Sequence, residues 1–227
     1  NRVIMELIHQ LCLFVSDLNL TRKGLEEIDL IPEKNYELNL LNRGCFQVPK
    51  GTVFCIDETG MDTGLLNKRG TENIQHLIDL ISEQKFICNF QYYQTTINTD
   101  VRVLTLSREK SLLKTHMKVK LPEEKRVIKE DDELNAVLDG KSEMLSALRA
   151  YLIAVDKQIS SVKLEKEVSE KIQTAFIEEC KDKKTPLDGD ALNLRLTLCK
   201  IKSACLNLQE ITYETYENIV KLSTAKQ

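Results

Sequence analysis

Apolar side chains at Ile4, Leu7, Ile8, Leu11 and Phe14/Val15 return every three or four positions, which predicts a helix with one buried face over residues 2–18. The period then shortens. Ile28-Asp29-Leu30-Ile31, stopped by Pro32, and Cys45-Phe46-Gln47-Val48, stopped by Pro49, read as strands. Thr52-Val53-Phe54-Cys55-Ile56 is apolar on both faces, as a central strand of a parallel sheet covered by helices is. Helical spacing resumes at Ile74, Leu77, Ile78 and Ile81, with Thr71 placed to cap its start. Two further strands are predicted over residues 86–93 and 101–106, joined by the polar segment 94–100. A short strand over 117–121 ends at Pro122.

Beyond this point the pattern changes. Residues 123–133 are a run of charge with almost no apolar anchor, and every later segment has helical period. Met144/Leu145, Leu148, Tyr151/Leu152 and Val155 form one stripe, and Leu164, Val168, Ile172 and Phe176 a second. Leu194, Leu198, Ile201, Cys205 and Leu208 form a third; Tyr213, Tyr216 and Ile219/Val220, with Thr212 as N-cap, form a fourth. The organisation expected is an α/β core over residues 1–122, a charged linker over 123–129 and an all-helical unit over 130–227. Such stripes are architectural, the ordinary mark of a core.

Composition narrows the function classes. In 227 residues, Lys+Arg 32 against Asp+Glu 35 leaves a formal charge of -3, so no global positive field gathers phosphate backbones, and direct nucleic-acid binding is not expected. With 42% apolar and 30% charged residues the chain reads as globular rather than disordered. No apolar run approaches the ~20 residues that cross a bilayer, and charge follows Asn1 too early for a signal-peptide core, so no membrane partner is expected. The start at Asn1 rather than Met reads as a fragment or a processed chain. The cysteines, Cys12, Cys45, Cys55, Cys88, Cys180, Cys199 and Cys205, form an odd set without a Cys-x-x-Cys pair. Each has apolar neighbours, which reads as buried free thiols in a reducing compartment, cytoplasm or nucleus. His9, His76 and His116 lack a ligand partner four residues on, so no metal site is expected. The basic stretch 108–126 reads as a solvated face or as a docking strip for an acidic partner.

The informative stretch is Gly44 to Glu58. A strand apolar on both sides that ends in Asp57-Glu58 puts two carboxylates at the C-terminal edge of a parallel sheet, where α/β proteins bind ligands. In P-loop hydrolases the first acid holds Mg²⁺ and the second polarises the attacking water; alone, such a pair is also an ordinary solvated strand end. The segment resembles the replicative MCM helicase subunits, whose AAA+ core has a short strand, a Gly turn and an apolar strand ending Ile-Asp-Glu. Ile81-Ser82-Glu83-Gln84-Lys85, then Thr95-Thr96-Ile97-Asn98 before the strand at 101–106, resemble the following MCM helix and pre-sensor segment. Residues 165–180 and 194–208, followed by Ile211-Thr212-Tyr213-Glu214, resemble the helical lid. Within that superfamily the chain is similar to the MCM-binding protein family over nearly its whole length. The similarity lies in Ile31-Pro32-x-Lys34-x-Tyr36, Val48-Pro49, Ile56-Asp57-Glu58-Thr59 and Gly64-Leu65-Leu66. It continues in Gly70-x-x-Asn73, Gln84-Lys85, Phe90-x-Tyr92 and Ser107-x-x-x-Ser111-Leu112-Leu113.

The resemblance implies an α/β, degenerate AAA+-like (MCM-like) parallel sheet with helices, followed by an all-helical lid. It does not carry the reaction with it. No Gly-x-x-x-x-Gly-Lys-Ser/Thr phosphate loop is present; the decoy Gly140-Lys141-Ser142 has Asn135 where the first Gly belongs and follows the Asp-Glu strand. A genuine loop would precede the first helix, outside this sequence. The sensor position falls at Ser107 or Arg108, the arginine-finger position near Lys114-Thr115-His116 and the lid arginine near Asn193. Ser and Lys do not replace an amide and a planar guanidinium there. Asp57 and Glu58 are then vestigial Walker B-like residues that bond the turn at Thr59-Gly60, and no catalytic residue, cofactor or metal is implied. The implied role is non-catalytic binding of MCM helicase subunits, in assembly, holding or unloading of the MCM complex during DNA replication in the nucleus. Residues 114–120 and 61–69 are the first places to look for contacts. The alternatives are an AAA+ ATPase subunit whose P-loop lies outside this chain, and a structural or DNA-binding module unrelated to the helicase.

Overall fold

The uninterrupted apolar run at residues 53–56 becomes the middle of a sheet because both of its faces and both of its edges find cover. The computed structural model describes residues 2–108, 110–120, 141–182 and 189–224. The elements in order are α1 (Arg2–Leu11), β1 (Val15–Asn19), α2 (Arg22–Glu27), β2 (Glu33–Asn35), β3 (Leu40–Asn42), β4 (Val53–Asp57), α3 (Lys68–Glu83), β5 (Lys85–Asn89), β6 (Gln94–Asn98) and β7 (Arg102–Leu106). They are followed by α4 (Ser142–Ile159), α5 (Lys166–Asp182), α6 (Gly189–Cys205) and α7 (Tyr213–Thr224). The chain divides into two units, Asn1–Met117 and Lys118–Gln227.

In the first unit a three-stranded sheet has the order β1-β4-β7, with both pairings parallel. Val15, Val53 and Arg102 stand side by side at one end, and Asn19, Asp57 and Leu106 at the other. A second sheet, β3-β2-β5-β6, is mixed, with only β2 and β5 parallel. Phe54 and Ile56 of β4 join Leu20, Leu25, Leu30, Phe46, Leu77 and Leu80 in one core. Phe46 meets Phe54 and Phe86 edge-on, at ring separations of 6.0 and 6.2 Å. Each such fully buried side chain contributes about 1.5–3 kcal/mol.

Several expectations are corrected here. The helix predicted over 2–18 stops at Leu11, and residues 15–19 are instead strand β1. A buried central strand leaves donors and acceptors on both sides that must be paired, and this ladder outweighs the helical spacing of Phe14 and Val15. Residues 28–31 and 45–48 are not strands. They touch through only two backbone bonds, Cys45 N–H to Asp29 O (2.9 Å) and Phe46 N–H to Leu30 O (3.0 Å). The strand predicted over 86–93 ends at Asn89, and the polar segment 94–100 contains β6, antiparallel to β5 and exposed throughout. A wholly exposed edge strand carries no hydrophobic alternation for the sequence to display. Asn67, not Thr71, caps α3, accepting from Gly70 N–H at 2.8 Å. No strand forms over 117–120, and Leu121, Pro122, the charged segment 123–133, Asn135 and Gly140 lie outside the described residues.

In the second unit the four helices bury Val155, Ile172, Cys199, Tyr216 and Ile219 together. Thr212 Oγ1 accepts from Thr215 N–H at 3.2 Å and caps α7. Lys163, between α4 and α5, bonds the segment before α7 through Gln209 O (2.9 Å) and Ile211 N–H (3.0 Å). The stripe expected on α6 is rotated. Ile201, Cys205 and Leu208 are exposed, and the buried face carries Arg195, Cys199 and Ser203, which are spaced four apart. Arg195 is accommodated because Glu179 of α5 takes both of its amino groups, Nη1 to Oε2 at 2.5 Å and Nη2 to Oε1 at 3.1 Å. On α4 the stripe is buried only at Leu145 and Val155.

Candidate functional site: the cleft at the sheet tip

All three parallel strands of the first sheet end at one edge, and the residues that follow them line a cleft of about 640 Å³. Leu20 N–H bonds Asp57 O at 2.8 Å, and Glu58 N–H bonds Leu106 O at 2.9 Å, so the ladder continues to the edge itself. Asp57 turns back on its own chain: Oδ1 accepts from Thr59 N–H at 2.9 Å and from the Thr59 hydroxyl at 2.6 Å, an Asx turn that ends the strand. Met61 N–H closes the next turn on Glu58 O at 3.0 Å.

Glu58 is 6% exposed. The Ser111 hydroxyl and the backbone of Leu112 and Leu113 hydrogen-bond its carboxylate. That loop is itself held by Leu113 N–H donating to Ser111 Oγ at 3.0 Å. Oε1 of Glu58 is buried without a hydrogen-bond partner. Burial pushes the Glu58 carboxyl above its ordinary range, against the opposing pull of those hydrogen bonds.

The rest of the cleft is mixed in character. Arg22, at the first turn of α2, lies against Gly64, where an added Cβ would come within 3.2 Å of its Cδ. Arg108 and Lys110 line the opposite strand end, and Met61, Leu66, Ile74 and Leu112 supply apolar surface. Residues 61–64 and Leu66 therefore belong to the cleft wall, while Leu65 between them is 91% exposed. Ser107 and Arg108 stand at the end of β7 and line the cleft, while Lys114 and His116 are exposed and outside its lining. Asn193 is on α6, in the other unit, as is Lys141, which precedes α4 without a side-chain cap.

The other chemistry-bearing residues do not assemble. His9 pairs with Asp17 (2.8 Å), and His76 is half-buried, its pKa lowered by that burial. Among the described residues no three of His, Cys, Asp and Glu are grouped to hold a metal ion, and no helix is long and apolar enough to cross a membrane. All seven cysteines are free. Cys55, Cys88 and Cys199 are buried, but Cys45 and Cys205 are exposed, which corrects the reading of every thiol as buried. Burial raises the Cys55 and Cys199 thiols to about 11.

The scattered residues on which the family resemblance rests turn out to hold backbone in place. Asn73 Nδ2 donates to Leu25 O (2.9 Å) and Ile28 O (3.0 Å) at the end of α2. Gln84 closes α3 in the left-handed region (φ 53°), and its Oε1 accepts from Val101 N–H at 2.8 Å. Tyr36 O–H donates to Phe90 O at 2.9 Å and packs edge-on against Tyr92 at 5.4 Å. Gly44 lets the chain pass the Ile31-Pro32 backbone, since a Cβ there would sit 2.3 Å from Ile31 C. Arg22 and Lys110 were not singled out by sequence as cleft residues, because each reads as an ordinary surface cation. Ser111 drew notice only through the resemblance, and nothing in its neighbours announces a bond to Glu58.

A family model described as mini-chromosome maintenance replisome factor matches residues 1–227. The mini-chromosome maintenance complex-binding protein of Mus musculus is 25% identical over 211 residues, 92% of this chain and 33% of that protein. Its namesake in Drosophila melanogaster is 29% identical over 188 residues, 82% of this chain and 31% of the other. That of Arabidopsis thaliana is 25% identical over 214 residues, 94% of this chain and 35% of the other. The chain thus spans about a third of the length of these relatives. With its whole length matched, this chain belongs to the mini-chromosome maintenance replisome factor family.

Proposed function

We propose that this chain is a non-catalytic module that binds MCM helicase subunits and serves in assembling, holding or unloading the MCM complex during DNA replication in the nucleus. The family and the names of its relatives support the partner. The non-catalytic part rests on one observation: of the two carboxylates at the sheet tip, one is engaged and the other covered by the chain's own fold. Asp57 is committed to Thr59, and Glu58 is buried under residues 111–113. A hydrolase needs the second of these facing a water it can polarise. In this reading the α/β unit is a degenerate AAA+-like core and the helical unit its lid. Their use is shape: ring subunits pack through heterologous faces, and a mimic without a firing site occupies one such face without completing the ring.

The test is binding of this chain to individually purified MCM subunits, followed by size-exclusion chromatography. Co-elution with at least one subunit is expected. Failure with all of them refutes the reading. ATP turnover by the protein in its full natural length, abolished by Glu58→Gln, would refute its non-catalytic half in favour of an AAA+ ATPase subunit.

A further inference from the structure

The cleft at the sheet tip gathers three cations, Arg22, Arg108 and Lys110, in a chain whose formal charge is -3. Arg108 and Lys110 are exposed, as is Arg22, and none is in an ion pair or hydrogen bond among the described residues. Elsewhere in this unit Lys23 pairs with Glu27, Lys68 with Glu72 and Arg69 with Asp29, so what sets the three apart is that they converge on one cavity. Three unpaired cations around one cavity repel each other, an arrangement that an anionic occupant relieves. The same cavity presents apolar surface from Met61, Leu66 and Leu112, the last 53% exposed. It also carries Asp62 and the nine-tenths-buried Glu58, whose Oε1 lacks a partner. Two carboxylates and an apolar wall do not suit the uniform charge of a phosphodiester chain. They suit a peptide of mixed acidic and apolar residues.

We propose that this cleft seats an acidic peptide segment of the MCM partner, its carboxylates held by Arg22, Arg108 and Lys110 and one bulky apolar side chain received on Met61, Leu66 and Leu112. The inference rests on the MCM-binding reading above and names the surface that performs it. Arg22 and Arg108 come from segments far apart in sequence, so only the folded sheet edge presents both charges to one ligand.

The experiment measures fluorescence anisotropy of the 227-residue chain against purified MCM subunits at low and high salt. The cleft variant is R22E/R108E/K110E. The control, K23E/R43E/K50E, reverses the same charge at exposed residues of the same unit, outside the cleft lining and outside residues 61–69 and 108–126. Protection of the Cys55 thiol verifies the fold of each. The cleft variant is expected to lose at least about tenfold in affinity and most of the salt dependence, and the control less than about threefold. Should the triple variant not fold, R108E and L112S singly are each expected to lose about threefold or more. Equal loss in cleft variant and control, or no loss in the cleft variants, overturns the inference while leaving MCM binding intact. Cleft-dependent capture of a single-stranded oligonucleotide, with MCM affinity unmoved, overturns it in favour of a nucleic-acid site. A wild-type chain that binds no MCM subunit refutes the functional reading itself, and this inference with it.

Discussion

Asn73→Leu is the sharpest test of how the cleft wall is held. Asn73 is 5% exposed, and its amide donates to Leu25 O at 2.9 Å and Ile28 O at 3.0 Å. These are carbonyls at the end of α2, where the helix has no further N–H to offer them. Leucine is close to asparagine in shape and leaves little cavity, so the change isolates the lost hydrogen bonds. Arg69 still reaches Ile28 O at 3.3 Å, whereas Leu25 O loses the amide. Two bonds at about 1 kcal/mol each, plus about 1–3 kcal/mol for a carbonyl left dry, give a loss of about 3–5 kcal/mol. At a urea dependence of about 1–3 kcal/mol per M, the unfolding midpoint of the first unit falls by about 1–5 M. The two units carry their own reporters. Cys55 and Cys88 are buried in the first, and Cys199 in the second. Pulsed thiol labelling across a urea series, read by mass spectrometry of the labelled peptides, gives a midpoint at each. The shift is expected at Cys55 and Cys88. Gln75→Ala, on the same helix but exposed, is expected to move them by less than about 0.5 kcal/mol. A shift at Cys55 below about 0.3 M would refute the assignment of Asn73 as the pin between α3 and α2.

The same assay reads three further changes. Gly44→Ala drives a Cβ to 2.3 Å from Ile31 C and 2.6 Å from Leu30 O, all backbone, and is expected to cost about 1–3 kcal/mol or more at Cys55. Gly51→Ala, at φ +78° but with nothing within 4 Å, is expected to cost only the left-handed penalty of about 1–2 kcal/mol. Arg195→Met takes both guanidinium bonds away from the Glu179 carboxylate and is expected to cost about 3–5 kcal/mol at Cys199. Adding Glu179→Leu recovers most of that, and no recovery would argue against the pair. Glu58 sets a pH dependence. Its folded pKa lies above its ordinary value of 4.5, so the folded chain binds the extra proton, and that contribution is full below 4.5 and lost as pH rises through the folded value. Glu58→Gln is expected to remove this fall, measured as the Cys55 midpoint at pH 4.5 and pH 7.5; an unchanged slope would refute the burial of an ionisable carboxyl there.

The functional reading was legible in part because several of its residues are local words. Ile56-Asp57-Glu58-Thr59 sits on one strand end and needs no distant partner to be recognised, and Asp57 bonds within two residues of itself. The cleft as a cleft was not legible. Arg22 follows β1, Met61 follows β4 and Arg108 follows β7, and nothing in any of those segments names the others. Glu58 looks like a solvated strand end in sequence, and becomes buried only because residues 111–113 fold over it.

What the amino-acid order determines by itself is wherever a residue's fate depends on near neighbours. The two-faced apolar run became β4, the spacing of Ile74, Leu77, Ile78 and Ile81 became α3, and the stripe of α5 and the stripe and Thr212 cap of α7 followed their own period. Tertiary structure alone decided the rest. Residues 15–19 became a strand because β4 needed a neighbour, and 94–98 became one because β5 offered an edge. The buried face of α6 turned to Arg195 because Glu179 waited across the helix pair. Periodicity records an average environment along one segment. Backbone pairing and charge pairing are contracts between two segments, and only the folded chain brings both parties together.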